Sequence, residues 1–124
     1  MTDNFIERSN IMSDCIFCKI VDGSIPSTKV YEDDKILAFK DLNPQAPVHT
    51  LIVPKQHICC ADEITADNCE IVGYIFSKIP EIAKSLGLEN GYRIVNNCGE
   101  DGCQSVKHLH FHLLGGEKLA ENMA

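Results

Sequence analysis

Three histidines alternate with apolar residues near the end of the chain, at His108, His110 and His112. In an extended strand, successive side chains point to opposite faces, so the three imidazoles would share one open face while Leu109 and Phe111 share the other. Imidazole titrates near neutral pH, so one ring could attack phosphorus while a neighbouring ring donates or accepts a proton. Chelation of a metal ion by the three rings is one alternative, and a half-exposed strand with incidental histidines is another.

A glycine-containing loop, residues 99–105, shortly precedes the histidines. Gly99 and Gly102 would allow backbone amides to turn inward, and Ser105 adds a hydroxyl, so the loop could cradle phosphate oxygens. An ordinary hairpin connection is the alternative interpretation. The position of the loop beside the histidines favours phosphate binding, and it favours catalysis over the other interpretations of the histidine face.

Cys15 and Cys18 are separated by two residues and could offer two thiolates to a zinc ion, which needs two further ligands for a closed tetrahedral site. Burial of both thiols as small apolar side chains is the alternative. The chain has seven cysteines, an odd number, and Cys59 and Cys60 are adjacent, so a regular disulfide framework is not expected. The first residues lack the apolar region of a secretory signal, and we expect a cytoplasmic protein, with the nucleus also compatible.

The apolar pattern predicts an α+β domain in which a five-stranded antiparallel sheet carries one main helix. The predicted strands are residues 29–32, 36–39, 49–53, 92–96 and 106–114. The long helix would follow Asp67 or Asn68, either of which could cap it, and would stop at Gly87. Pro80 should bend or interrupt this helix. Residues 1–14 show no clear periodicity and are predicted to be a flexible leader before a domain over residues 15–124.

The bulk composition limits the possible partners. A chain of 124 residues with 44% hydrophobic residues fits one globular domain. A formal net charge of −7 argues against binding to a nucleic acid polymer, which requires a basic face, but does not exclude a small nucleotide. No apolar run approaches the roughly 18 residues that span a membrane, so no membrane partner is expected.

The segment His108-Leu109-His110-Phe111-His112-Leu113-Leu114 resembles the signature His-φ-His-φ-His-φ-φ of the histidine triad superfamily, in which φ is apolar. The resemblance extends from about Cys15 to Gly116 and is closest to the Hint branch, the histidine triad nucleotide-binding proteins. Further segments that carry it are Ile16-Phe17, Ile25-Pro26, Glu32-Asp33-Asp34, Leu37-Ala38-Phe39, Pro44-Gln45-Ala46-Pro47, Val53-Pro54-Lys55 and Gly102-Cys103-Gln104-Ser105-Val106.

This resemblance implies a homodimer with one ten-stranded sheet, and hydrolysis of purine nucleoside phosphoramidates and related adenylate conjugates. His110 would attack the α-phosphorus to form a nucleotidyl-histidine intermediate, from which water releases a nucleoside monophosphate such as AMP or GMP. His112 and His49 would contact phosphate oxygens or donate and accept protons nearby. The nucleotide-transferring branch carries Gln at the third triad position, so His112 resembles the hydrolases. A nucleotide-binding or scaffold protein that does not depend on hydrolysis is the alternative function.

The resemblance also implies nucleotide contacts. Asp41 would accept hydrogen bonds from ribose hydroxyls. The phosphate and leaving-group side would be held by Asn97, Gln104 and Ser105. The base would be walled by Ile16, Phe17, Phe39 and Leu42.

A structural zinc ion is the cofactor that the resemblance implies, because several histidine triad proteins bind one through a cysteine pair and two histidines. The matching residues are Cys15, Cys18, His57 and His108. His108 is the first histidine of the catalytic triad motif. It would then bind the metal, while His110 and His112 carry out the reaction.

Overall fold

One antiparallel sheet of five strands organises the chain in the computed structural model, which describes residues 14–124. The elements in chain order are α1 (Ile16–Val21), β1 (Lys29–Glu32), β2 (Ile36–Lys40), β3 (Val48–Pro54), a short 3-10 helix (Ala61–Glu63), α2 (Glu70–Ser85), β4 (Arg93–Val95) and β5 (Phe111–Gly115). The strand order is β1-β2-β3-β5-β4, and all neighbours are antiparallel. The predicted fold class is confirmed. The predicted leader, except Asp14, lies outside the described residues.

The central strands β2 and β3 are buried on both faces, because α2 covers one face of the sheet and α1 covers part of the other. On the α2 face, Ile36, Ala38 and Ile52 join the larger core cluster. On the α1 face, Leu37 and Phe39 pack with residues of α1. The alternation of strand side chains therefore divides each central strand between two cores.

Helix α2 packs on the sheet through Ile75, Ile79, Ile82 and Ala83, each at most 2% exposed. Their spacing of three and four residues places them on one side of the helix. Full burial of each isoleucine stabilises the fold by about 1.5–3 kcal/mol. None of the helices within residues 14–124 is long and apolar enough to cross a membrane.

The ends of α2 correct part of the sequence prediction. Asn68 does not cap the helix, because its Oδ1 accepts the Thr65 N–H at 2.7 Å. Asp67 lies one residue further away, and the capping position is held by Cys69, which makes no side-chain capping bond. At the other end, Gly87 has φ +78°, as the predicted glycine stop requires.

Pro80 does not interrupt α2, which continues to Ser85. Pro80 lies on the exposed side of the helix, and so does Phe76 one turn earlier. The carbonyl of Phe76, which loses its usual helical donor, can therefore be hydrated. Of the two predicted outcomes, a bend or an interruption, the interruption was wrong, because the missing bond falls on the solvent side.

The histidine segment also differs from its prediction. Strand β5 begins at Phe111 rather than Val106, and the Leu109 N–H donates to the Ile58 carbonyl at 2.6 Å, outside the ladder with β3. The apolar side of the alternation is as expected, because Leu109 and Phe111 belong to the core under α2. The histidine side is not an open surface.

Candidate active site and metal site

An apolar cavity of about 260 Å³ lies on the α1 face of the sheet. The rings of Phe17 and Phe39 meet edge to face in its wall, with centroids 5.6 Å apart. Leu42, at its rim, is 97% exposed. The predicted site residues that line the cavity are Ile16, Phe17, Phe39, Asp41, Leu42, Ser105, His110 and His112. The cavity thus combines an aromatic wall with a group of polar side chains.

His110 is 3% exposed and lines this cavity. Its Nδ1 lies 2.7 Å from the carbonyl oxygen of His108, which can only accept, so Nδ1 carries the proton. The Phe17 ring packs edge to face on the imidazole at 5.1 Å. Burial lowers the pKa of His110, which favours the neutral ring. His110 therefore holds an unprotonated Nε2, the form that can act as a nucleophile.

His112 and His49 are joined by a hydrogen bond of 2.8 Å between His112 Nδ1 and His49 Nε2. They share a face of the sheet, since His112 pairs with Leu51, two residues along β3 from His49. The Gln45 N–H donates to His49 Nδ1 at 2.9 Å, so the proton of neutral His49 lies on Nε2. His112 Nδ1 is then an acceptor, and its proton lies on Nε2. Burial, followed by the neighbouring histidines, lowers the pKa of His112 to about 4.

Asp41, which directly follows β2, lies beside the pair formed by His49 and His112. Its Oδ1 accepts the Asn43 N–H at 2.8 Å, and its Oδ2 lies 3.3 Å from His49 Nε2. Asp41, His49 and His112 could by proximity hold a metal ion. The Gln45 amide argues against this, because a metal at His49 Nε2 would force the ring proton onto Nδ1, where it would face another N–H. His49 instead donates its Nε2–H to His112, with the Asp41 carboxylate beside it.

A second cluster contains the four predicted metal ligands, Cys15, Cys18, His57 and His108, whose ligand atoms all lie within 4.8 Å of one another. The topology brings them together, because His57 follows β3 and His108 precedes β5, its antiparallel neighbour. The two cysteines come from the start of α1, where Cys15 Sγ also accepts the Cys18 N–H. Residues far apart in sequence thus meet at one end of the interior strands β3 and β5.

The dimensions and protonation of this cluster fit zinc. His108 Nδ1 lies 3.4 Å from Cys15 Sγ and 3.6 Å from Cys18 Sγ, and His57 Nδ1 lies 3.3 Å from Cys18 Sγ. Tetrahedral zinc with bonds of about 2.0–2.3 Å separates its ligand atoms by about 3.3–3.8 Å. His108 Nε2 donates to the Pro54 carbonyl at 2.8 Å, which leaves Nδ1 free to ligate. Burial lowers the pKa of His108 to about 4, so its ring is neutral, as ligation requires.

The loop over residues 97–105 is built differently from the predicted phosphate cradle. The Gly99 N–H donates to Gln104 Oε1 at 3.0 Å instead of facing the cavity. The Gln104 Nε2 donates to the carbonyls of Cys59 and Val106. The Asn97 Nδ2 donates to the Gly102 carbonyl at 2.8 Å. Asn97 and Gln104 therefore hold the backbone of the loop in place through hydrogen bonds, and they do not line the cavity.

The comparisons with known proteins agree with this geometry. The HIT domain family model matches residues 22–119. A 14 kDa zinc-binding protein from Zea mays is 51% identical over 109 residues, which cover 86% of this chain and 85% of that relative. The chain belongs to the HIT family.

Solved HIT structures show the same fold. A histidine triad protein from Clostridium difficile is 54% identical, with a TM-score of 0.87 over 90% of this chain and 98% of its own. A HIT family hydrolase from Legionella pneumophila Philadelphia 1 is 46% identical, with a TM-score of 0.84 over 87% of this chain and 97% of its own. The resemblance recognised in the sequence is confirmed at the level of the family.

Several parts of this HIT site were not predicted. The backbone groups that set the ring protons come from Gln45, Pro54 and His108, and no side-chain pattern marks them. The Asn96 side chain, which donates to the His110 carbonyl at 2.8 Å, was also missed. The additional cavity-lining residues are Ile20, Ile25, Pro26, Ser27, Lys40, Leu51 and Val106. Of these, only Ile25, Pro26 and Val106 lay in segments that carried the resemblance.

Gly102, in the loop over residues 97–105, has no space for a side chain, and its replacement tests whether this loop holds Ser105 in place. A Cβ at this position would lie 2.4 Å from the Cys98 carbonyl oxygen, so the loop backbone must move. We expect Gly102→Ala to weaken AMP binding about tenfold and to destabilise the fold by about 1–3 kcal/mol. Isothermal titration and urea unfolding measure the two effects.

Gly73→Ala is the matched control, because Gly73 is in α2 and its added Cβ would enter open space. It should leave AMP affinity unchanged and stabilise the helix by about 0.5–1 kcal/mol. Equal AMP affinities for Gly102→Ala and the unmodified protein would contradict the role given to the loop.

Proposed function

We propose that this protein hydrolyses purine nucleoside phosphoramidates and related nucleotide conjugates, releasing a nucleoside monophosphate. The observation that carries the proposal is the orientation of His110, whose Nδ1 proton is bonded to the His108 carbonyl and whose Nε2 is unprotonated beside the cavity. A nucleophile fixed in its reactive tautomer, next to a pocket with aromatic walls, suits attack on a nucleotide phosphorus.

The reaction would take two steps. In the first, His110 Nε2 forms a bond to the α-phosphorus, the phosphorus–nitrogen bond of the substrate breaks, and the amine leaves with a proton from water. In the second, a water oxygen bonds to phosphorus, the phosphorus–histidine bond breaks, and the nucleoside monophosphate departs. The proton released by that water returns to solvent, and His110 regains its neutral form.

The other cavity residues would bind and orient the nucleotide. His112 keeps its Nε2–H as a donor because His49 donates to its Nδ1, so it would donate to a phosphate oxygen and stabilise developing charge. The Ser105 hydroxyl lies in the same lining. The Asp41 carboxylate would accept the ribose hydroxyls, and the Phe17 and Phe39 rings would wall the purine.

We also propose that the cysteine–histidine cluster holds a structural zinc ion. The name of the Zea mays relative, a zinc-binding protein, supports this assignment alongside the ligand geometry. A closed four-ligand site leaves no position for substrate, so the ion would stabilise the fold rather than take part in the reaction.

A homodimer is part of the proposal, with two sheets joined through β4. Among the described residues, β4 pairs only with β5 and leaves its other edge without a neighbouring strand. Such an edge favours pairing with a second chain. Analytical ultracentrifugation should give the mass of two chains, and a monomer at the enzyme's working concentration would reject the dimer.

Turnover of adenosine 5′-phosphoramidate tests the proposed activity. We expect release of AMP and ammonia in equal amounts, with an adenylyl group on the protein in samples quenched during turnover. Chromatography of the products and mass spectrometry of the quenched protein measure both. Binding of AMP without any turnover of phosphoramidates would contradict the proposal and favour a nucleotide-binding role.

A further inference from the structure

The single ring N–H of His49 is bonded to His112 and lies close to a carboxylate, that of Asp41. The Gln45 amide occupies its Nδ1, so the ring proton lies on Nε2. That nitrogen is 2.8 Å from His112 Nδ1 and 3.3 Å from Asp41 Oδ2. The His49 side chain is only 3% exposed, so water cannot replace either neighbour easily. The His49 N–H therefore donates to His112, while the negative charge of the Asp41 carboxylate attracts it from a nearby position.

Asp41 can also be reached from the cavity. Its side chain is 21% exposed and belongs to the cavity lining, whereas its Oδ1 is already bonded to the Asn43 N–H. Each carboxylate oxygen has a further lone pair for a ligand hydroxyl, and the two oxygens share one negative charge. Hydroxyls that donate to Asp41 would therefore weaken its attraction for the His49 N–H.

We propose that Asp41 couples the binding of the nucleotide's sugar to the orientation of His112, with His49 as the positioning residue between them. The coupling rests on the proposed function, since it requires a ribonucleotide in the cavity. With the 2′,3′-diol bound to Asp41, the His49 N–H points fully at His112 Nδ1. This bond fixes the His112 ring with its Nε2–H toward the phosphate. The diol thus contributes to kcat as well as to affinity.

Steady-state kinetics can separate this coupling from simple ribose binding. The substrates are the 5′-phosphoramidates of adenosine and of 2′,3′-dideoxyadenosine. For the unmodified protein, we expect loss of the diol to raise KM and also to lower kcat about tenfold, the effect of one well-placed hydrogen bond. In His49→Ala, kcat should be lower for both substrates, and their kcat ratio should be close to one because the connection is cut.

Asp62→Asn is the matched control, because Asp62 is an exposed carboxylate in the 3-10 helix, outside the cavity lining. It should keep both the activity and the tenfold kcat ratio. An effect of the diol on KM alone would overturn the coupling. The coupling would also be overturned if the ratio of kcat for the two substrates were the same in the unmodified protein and in His49→Ala. The sugar would then act by a route that does not include His49.

A spectroscopic measurement removes the dependence on turnover and on the folding of His49→Ala. In the 15N-labelled unmodified protein, adenosine should shift the Nδ1 resonance of His112 and the Nε2 resonance of His49, and 2′,3′-dideoxyadenosine at saturation should not. Equal shifts with both nucleosides would overturn the coupling. If adenosine produces the shifts but no phosphoramidate is hydrolysed, the coupling stands and the proposed hydrolase activity fails. Normal hydrolysis without the shifts would overturn the coupling alone.

Discussion

Replacing His110 by alanine should lower the turnover of adenosine 5′-phosphoramidate by at least about 10,000-fold, because removal of a nucleophile eliminates the covalent route. The unprotonated Nε2 of His110 is the group that would bond to phosphorus. His112 cannot replace it, because the His49 N–H occupies its Nδ1 and its own proton occupies Nε2. Product release and trapping of the adenylyl group on the protein measure the loss.

The control for this variant is nucleotide binding. Alanine leaves the base wall and Asp41 intact, so the affinity for AMP should change by no more than a few fold. Calorimetric titration with AMP, together with an unchanged circular dichroism spectrum, would show that the cavity persists. A turnover rate in His110→Ala equal to that of the unmodified protein, in a preparation free of other phosphoramidases, would reject the mechanism.

The histidine alternation illustrates what a sequence can and cannot predict about such a site. The period of two correctly separated Leu109 and Phe111, which enter the core under α2, from the histidines. It did not predict that His108 would be fully buried while His112 is partly exposed. That difference arises because residues before Phe111 leave the β-ladder, so the His108 ring turns to the cysteines of α1.

The protonation of each ring was also beyond sequence reasoning. The acceptors for His108 and His110 are the backbone carbonyls of Pro54 and His108, and the donor to His49 is a backbone amide. Every non-proline residue carries the same backbone groups, so only the folded geometry selects which of them meet a ring.

The loop before the histidines contains a hydrogen bond that the sequence did not predict. Its glycines suggested amides open to phosphate, but an amide is available to a ligand only if no nearer acceptor takes it. The side chain of Gln104 is such an acceptor for Gly99, and this pairing joins residues five apart in the sequence. A polar side chain near glycines therefore predicts a loop held by internal hydrogen bonds as well as it predicts an anion site.

The metal ligands could be predicted in two steps, because the spacing of the two cysteines is compatible with zinc and the family resemblance implied His57 and His108 as the other two ligands. Their replacement gives the second large expected effect. Cys18 is fully buried in the cluster. We expect Cys18→Ser to lose zinc and to lower the free energy of unfolding by about 4 kcal/mol, the linkage contribution of an ion present at a thousand times its Kd. Metal analysis and thermal unfolding, with a midpoint lowered by roughly 10 °C or more, measure these changes.

Cys69→Ser is the matched control, since Cys69 is exposed and lies outside the cluster; it should keep one zinc per chain and the original midpoint. His108 connects this experiment to the reaction, because its ring joins the cluster while its carbonyl accepts the His110 Nδ1–H. Loss of the ion should therefore loosen the carbonyl that fixes the His110 tautomer and lower kcat more than it raises KM. A Cys18→Ser protein that retains one equivalent of zinc would contradict the assigned ligand set.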